Sequence, residues 1–380
     1  MYLLKKTMPN LQIGAIDVLG NADTRRYVDW AFSVEKQVIN KSLWRLKHRS
    51  LEEYLYELTQ VMLEEISFDL VIPSSPLQTK LHYLERFSNQ IEVFMPERST
   101  LEQTSDAFKF INNLSVCCPT FFRSLDKEIS ASEISHDSFP GVFITKVGSF
   151  FVNEKTALAE IYPRNLKGFY LTTSQIQSAC FLVSGSKIQF MGVQTLKSPH
   201  QHALFPDFLE QNSLIPYSGL KGPSILAIKQ AGENIIQKLD LTGIITLYFY
   251  NSSRQPVPIS CNPLPDENFG LWARKNPRLV IKFMTTSLKT LDRAQLTLDY
   301  AYRIPIHSRH PLQVPFLPEE ISNQRNLAGV LSHPEYPICV ISGSKTSHFE
   351  AKEHRMQSLL KMTRILEPNS QHSAAGIQSN

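Results

Sequence analysis

The chain has 380 residues, 42% of them hydrophobic, which at roughly 100–200 residues per domain predicts two or three lobes around a large core. Its formal net charge is +4 with no lysine or arginine run, which excludes the clustered basic face of a nucleic-acid binder. The five cysteines (Cys117, Cys118, Cys180, Cys261 and Cys339) are odd in number and include no C-x-x-C, which argues against a disulfide framework or a structural zinc and for thiols in a reducing compartment.

The apolar run before Lys5 and Lys6 is too short for the core of a signal peptide. No stretch approaches the roughly 20 apolar residues of a membrane span. A cytoplasmic protein with no membrane contact is therefore expected.

Leu11–Gly20 predicts a buried strand ending near Asp17. Residues 50–65 predict a helix: Ser50 and Glu53 have capping-box spacing, and Leu51, Tyr54, Leu55, Leu58 and Met62 fall on one face. Phe68–Ser75 is a short apolar strand stopped by Pro73. This alternation predicts a parallel sheet in the first hundred residues. Ser99 and Glu102 have the spacing of a second capping box, opening a helix through Leu101, Phe108, Ile111 and Leu114, with Pro119 past its end.

Gly141–Thr145 predicts a strand leading to Lys146. CFLV and KIQFMGV flank Ser184-Gly185-Ser186 as a hairpin. Residues 224–239 have helical periodicity, and Ile244–Tyr250 is an apolar strand turned by Asn251-Ser252-Ser253 onto PVPISCNP. Hairpins alternating with helices predict an antiparallel sheet covered by helices, an α+β arrangement. Further strands are expected at Leu279–Met284 and Ile338–Ile341. A last amphipathic helix is expected to use Phe349, Met356, Leu359 and Leu360, with an unstructured polar tail after Pro368.

Four stretches, taken in order, resemble the ATP-grasp superfamily, and more narrowly its carboligases related to biotin carboxylase. They are AIDVLGNADTRR (Ala15–Arg26); Pro96 through Pro119 with Asp106; Tyr217-Ser218-Gly219-Leu220-Lys221-Gly222-Pro223 followed by a helix, a strand and Asn262-Pro263; and PICVISGS (Pro337–Ser344) with the closing helix. The resemblance implies an α/β and α+β chain in four parts. Residues 1–95 are a Rossmann-like lobe whose first strand is truncated, and 96–275 form the two-lobed grasp domain. Residues 276–367 are a C-terminal α/β segment packed on it, and 368–380 are the tail.

It also implies ATP and Mg²⁺ as cofactors and an acyl-phosphate ligation. Lys146 stands where the family holds phosphate. Tyr217, Gly219 and Gly222 stand in a nucleotide-side loop. Asn262, with Asp266 and Glu267 close by, stands at the metal. The two family carboxylates are replaced, by Tyr248 and by Ser260, and Leu264 replaces the arginine after Asn-Pro. The phosphate loop VGSFFVNE carries one glycine, and Thr172-Thr173 stands for the adenine-contacting pair. Backbone cradling of phosphate needs the close approach that glycine permits.

Each residue also has a plain structural reading. Lys146 is equally a surface lysine at a strand end, Asn262 a turn-capping residue before Pro263, and Tyr217, Gly219 and Gly222 loop-shaping residues. His200-x-His202 and His307-x-x-His310 lack a carboxylate or cysteine at ligand spacing and are expected in loops. Two functions follow: a degenerate relative with weak or lost catalysis and a binding or regulatory role toward a nucleotide or a protein partner, or an active ATP-dependent carboxylate ligase with a rearranged Mg²⁺ site.

Overall fold

A computed structural model describes residues 5, 8–17, 28–33, 51–73, 81–104, 107–117, 129–135, 141–145, 148–152, 167–172, 175–197, 200–202, 205–210, 214–216, 223–251, 256–265, 269–270, 272–273, 276–285, 300–308, 312–313, 323–324, 331–332 and 337–376. In chain order the elements begin β1 (Gly14–Asp17), β2 (Trp30–Ser33), α1 (Leu51–Glu65), β3 (Leu70–Val71), α2 (Leu81–Ser88) and β4 (Glu92–Val93). Then come α3 (Arg98–Thr104), α4 (Ala107–Cys117), β5 (Ile129–Ser130), β6 (Gly141–Thr145), β7 (Gly148–Val152), β8 (Lys167–Thr172), β9 (Gln175–Ser184) and β10 (Lys187–Lys197). The chain continues with β11 (His200–His202), β12 (Phe205–Glu210), β13 (Leu214–Pro216), α5 (Pro223–Lys238), β14 (Gly243–Asn251), β15 (Pro256–Asn262) and α6 (Pro277–Thr285). It closes with β16 (Tyr300–Ser308), β17 (Leu312–Gln313), β18 (Asn323–Gln324), β19 (Leu331–Ser332), β20 (Pro337–Lys345) and α7 (His348–Gly376).

These elements form two compact units. The first comprises Met1–Phe94, His200–Asn212 and Ala301–Asn380; the second comprises Met95–Pro199 and Ser213–Tyr300. In the first unit β1 pairs with β2 and β3 with β4, both in parallel, as the strand–helix alternation predicts. Asp29 ties the start of β1 down: its carboxylate accepts from Ile13 N–H at 2.7 Å and from the Lys5 ammonium at 2.7 and 2.9 Å. Those bonds hold its pKa below the ordinary carboxylate value.

Strands β11, β12, β16, β20 and β18 lie in that order. Tyr302, Ile304 and Ile306 of β16, Ile338, Cys339 and Ile341 of β20, and Leu359 and Met362 of α7 make the core beneath them. On that core the Tyr302 hydroxyl lies 2.7 Å from His354 Nδ1 and 3.3 Å from Ser358 Oγ.

In the second unit β13, β10, β9, β14 and β15 lie in that order, all antiparallel. The β9–β10 hairpin turns at Gly185-Ser186, with Gly185 at φ +55°. Glycine first with positive φ is the signature of a type II′ turn, whose twist suits a two-residue hairpin. One sheet face, through Phe181, Ile245, Leu247 and Phe249, meets Phe110 and Leu114 of α4 and Ile228 and Ile235 of α5 in a single apolar cluster. Strand β15 is at the end of the order, where Pro256 and Pro258 are tolerated because an edge strand needs fewer donors. A smaller sheet, β5-β8-β6-β7, also belongs to this unit.

Several expectations are corrected. Leu279–Met284 lies within helix α6 rather than a strand. Val280, Ile281, Phe283 and Met284 are its buried positions, a helical stripe and not an alternation, and Pro277 opens it at the one position where a missing N–H costs nothing. Ser99 does not cap a helix: α3 starts at Arg98, Leu101 N–H bonds to Glu97 C=O, and Glu102 pairs with Arg98 at 2.7 Å. The supposed single helix is two, α3 and α4.

In α7 only Leu359 of the four expected core residues is buried; Phe349, Met356 and Leu360 are exposed. The core side is set by the sheet beneath, which takes Ala351, Leu359 and Met362. Helix α7 also runs to Gly376, past Pro368. An internal proline removes one ladder bond but keeps a helical φ, so the backbone can resume beyond it. His200 and His202 lie in β11 and His307 in β16, not in loops. Among the described cysteines, Cys180, Cys261 and Cys339 are in no disulfide.

Two measurements follow. A Cβ on Gly232 of α5 would stand 2.3 Å from Cζ of the fully buried Phe181. Gly→Ala in a helix gains about 1 kcal/mol in propensity, whereas overpacking a core costs ~1–3 kcal/mol. Gly232→Ala is therefore expected to lower the thermal unfolding midpoint despite the propensity gain.

The second concerns His354, whose pKa is held below 6.5, first by burial and then by Lys345. Tyr302 faces the ring, and its hydroxyl is in turn held by Ser358 and lies in the field of Arg355. Because the unfolded state binds the proton more readily, stability is full above 6.5 and falls as pH drops from there through the folded pKa. His354→Gln should flatten that part of a plot of unfolding midpoint against pH.

Candidate functional site

The face of the second unit's sheet opposite its apolar cluster is built by alternation. In β14, Ile245, Leu247 and Phe249 join the apolar cluster, so Thr246 and Tyr248 alternate to the other face, Tyr248 still packing against the cluster with part of its side chain. Directly opposed residues of antiparallel strands share a face. Tyr248 pairs with Ser260 of β15 and with Ser178 of β9, and Ser178 pairs with Gln194 of β10. Four strands thus bring Gln194, Ser178, Tyr248 and Ser260 into one polar row. The adjacent row is Gly192, Cys180, Thr246 and Asn262.

Two irregularities shape these rows. Ile259 is an extra residue in β15 between the Ser260 and Pro258 pairings, and Met191 is one in β10 between the Phe190 and Gly192 pairings. Such bulges re-aim the side chains beside them. Gly192 sits at φ +141°, a conformation side-chain-bearing residues avoid, and the Trp272 ring occupies the space of its missing Cβ, 2.5 Å from where that atom would be. The indole is thereby laid on the end of the second row.

Both rows are largely closed to water. Ser178 is 1% exposed and Thr246 0%. Thr246 Oγ1 and Trp272 Nε1 are buried without a hydrogen-bond partner among the described residues. An orphaned buried polar atom costs about 1–3 kcal/mol, so two on one face mark a place where stability is given up. Tyr248, Ser260 and Asn262 are half-buried.

The positions to which the family resemblance assigns the metal are therefore brought together: Tyr248 and Ser260 are cross-strand partners, and Asn262 is one row away. The donors do not fit Mg²⁺. A phenol and a hydroxyl are neutral at pH 7, and Mg²⁺ favours carboxylate oxygen in near-ideal octahedral geometry. Asn262 Oδ1 accepts the Leu264 N–H at 3.2 Å, the side-chain turn expected of an asparagine before proline. Among the described residues no three histidine, cysteine, aspartate or glutamate side chains form a metal cluster.

Asp266 and Glu267 lie outside the described residues, as do Lys146, Tyr217, Gly219, Gly222, Asp106 and Thr173. Thr145 and Gly148, on either side of the Lys146-Val147 dipeptide, are paired across β6 and β7. Thr246, Ser178, Gln194, Trp272 and Gly192 escape motif reading. For the four strand residues the signal is a polar residue or a glycine at alternate positions of largely apolar strands; Trp272 lies outside any strand and carries no such signal.

No family model matches this chain, and no curated protein does. Solved structures do match. The biotin carboxylase domain of Hydrogenobacter thermophilus 2-oxoglutarate carboxylase, in complex with MgADP, ADP and bicarbonate, aligns with TM-score 0.65 and 12% identity over 94% of this chain and 86% of that one. Campylobacter jejuni biotin carboxylase, in complex with β,γ-ATP, gives TM-score 0.62 and 12% identity over 96% and 87%. N5-carboxyaminoimidazole ribonucleotide synthetase from Thermus thermophilus gives 0.57 and 11% over 96% and 94%. The chain thus has the mixed α/β fold of ATP-grasp biotin carboxylase domains. Among the described residues no helix is long and apolar enough to cross a membrane.

Thr246→Val tests the orphaned hydroxyl. It keeps the shape and removes a buried polar atom with no partner, so a stabilisation of about 1 kcal/mol is expected, read as a higher unfolding midpoint. A lower midpoint would show that Thr246 Oγ1 bonds a buried water or ligand in solution.

Proposed function

We propose that this chain is a diverged ATP-grasp-fold protein, descended from ATP-dependent carboxylate–amine ligases, that binds a ligand on the polar sheet face but has weak or lost phosphoryl transfer. One observation carries the reading: the Tyr248–Ser260 pair presents two neutral side chains at adjacent sites where the family resemblance places two carboxylates. In phosphoryl transfer the metal neutralises charge on the moving group, and such electrostatic stabilisation is usually the largest catalytic term. Removing two formal negative charges from the metal shell leaves Mg²⁺ poorly held. The fold is kept while the metal chemistry is not, which suits a binding or regulatory protein.

Nucleotide remains the first ligand to test, because the related structures include ATP and ADP complexes. ATP would bind through Lys146 and the loop holding Tyr217, Gly219 and Gly222. Binding at 100 times the dissociation constant stabilises by about 2.7 kcal/mol.

The expected outcome is a rise in unfolding midpoint with ATP that is the same in Mg²⁺ and in EDTA, and that Lys146→Ala removes. With millimolar Mg²⁺-ATP and a panel of carboxylates and amines, no ADP release is expected. Mg²⁺-dependent turnover abolished by Lys146→Ala would overturn the proposal and assign the metal to Asp266 or Glu267, making the chain an active carboxylate ligase.

A further inference from the structure

Helix α7 is held to the sheet beneath it in two different ways along its length. Leu359 and Met362 are buried in the core, with Ile365 packed against them. Among the described residues of the turns before them, Ala351 is the buried one, and it brings a single methyl group. What ties that end of the helix to β16 is polar: His354 Nδ1 lies 2.7 Å from the Tyr302 hydroxyl, which also reaches Ser358 Oγ at 3.3 Å. Gly343 of β20 leaves room for this contact. A Cβ there would stand 2.8 Å from His354 Nδ1 and 2.9 Å from the Tyr302 oxygen, so a side chain at 343 would push the pair apart.

The surroundings of His354 favour its neutral form. Burial and the Lys345 ammonium of β20 both act against a proton on the ring. From β16 the ring meets the Tyr302 hydroxyl. Strand β17, which also packs on α7, brings Leu312 and Gln313, neither of which titrates. On α7 itself Arg355 adjoins His354, and Lys352 is exposed. The carboxylates of that end are engaged elsewhere: Glu350 accepts from Thr346 Oγ1 at 3.1 Å and Glu353 from Gln357 Nε2 at 3.5 Å. A proton on His354 therefore meets lost hydration and a like charge. Lifting the first turns of α7 returns the ring to water, where it charges at its ordinary value of 6.5. Protons thus favour the lifted form. A segment with little buried apolar surface is also the one that opens at low cost, while Leu359 and Met362 keep the rest of the helix in place.

We infer that the Tyr302–His354 contact is a proton-operated latch that holds the N-terminal turns of α7 on the sheet and releases them as the pH falls. Histidine suits such a switch because its charge changes near neutrality.

Hydrogen exchange of the full chain, read by mass spectrometry and corrected for the intrinsic pH dependence of exchange, tests it. Protection of amides 352–357 is expected to be constant above 6.5 and to fall below it, by at most about tenfold per pH unit for one proton. Amides 359–365 and those of β20 should keep their protection over the same range. In His354→Gln the pH dependence at 352–357 should vanish, and in Lys345→Gln it should shrink, because the like charge is gone. Gly343→Ala should lower protection of 352–357 already above 6.5. In every variant amides 359–365 report whether the unit is still folded. Protection at 352–357 that ignores pH, that falls together with 359–365 and β20, or that keeps its pH dependence in His354→Gln overturns the inference.

Discussion

Strand β14 is paired along nearly its whole length, with β9 on one side and β15 on the other, and that register decides which residues of the second unit meet. Side chains alternate along a strand, so a slip of one residue would move Ile245, Leu247 and Phe249 out of the apolar cluster and put Thr246 and Tyr248 into it. The cost of pushing the hydroxyls of Thr246 and Tyr248 into that cluster without partners locks the register. Once it is locked, the polar rows on the opposite face follow without further instruction. The close contact of Gly232 with Phe181 sets how near α5 comes to the same sheet.

The polar face is where the fold gives back part of that stability. Thr246 and Trp272 bury polar atoms that find no partner among the described residues; on the other face Gln177, paired with Phe249, buries its Oε1 in the same way. Proteins keep such atoms where something outside the chain completes them. The half-buried groups of these rows are a phenol, a hydroxyl and an amide already engaged with Leu264 N–H. Neutral donors on a hydrogen-bonding face suit a polar ligand better than a bare divalent cation, which needs anionic oxygen.

The first unit is organised differently. Its sheet and α7 share one small core in which Tyr302 reaches out to His354 and Ser358. Burial raises the tyrosine pKa and lowers that of the histidine, so the neutral forms of both are favoured. With the inner side of α7 committed to this core, its outer side is left to carry Phe349, Met356 and Leu360.

The sequence by itself determined the alternation of β14, the Ser184–Lys187 hairpin, the parallel pairs of the first unit and the order of elements that the ATP-grasp likeness rests on. These depend on periods of 2 and 3.6 and on turn chemistry, which are local properties. The resemblance read from the sequence also implies neutral residues at 248 and 260 where the family has acids. Only the tertiary structure decided that those two positions face each other, that Thr246 and Trp272 are buried without partners, and that the side of α7 away from Phe349 is the one buried. It also turned Leu279–Met284 into a helix, since a short run that is apolar except for Lys282 satisfies either period until its neighbours choose. Cross-strand pairing and burial join residues far apart in the chain, and a pattern within one segment carries no information about what lies against it.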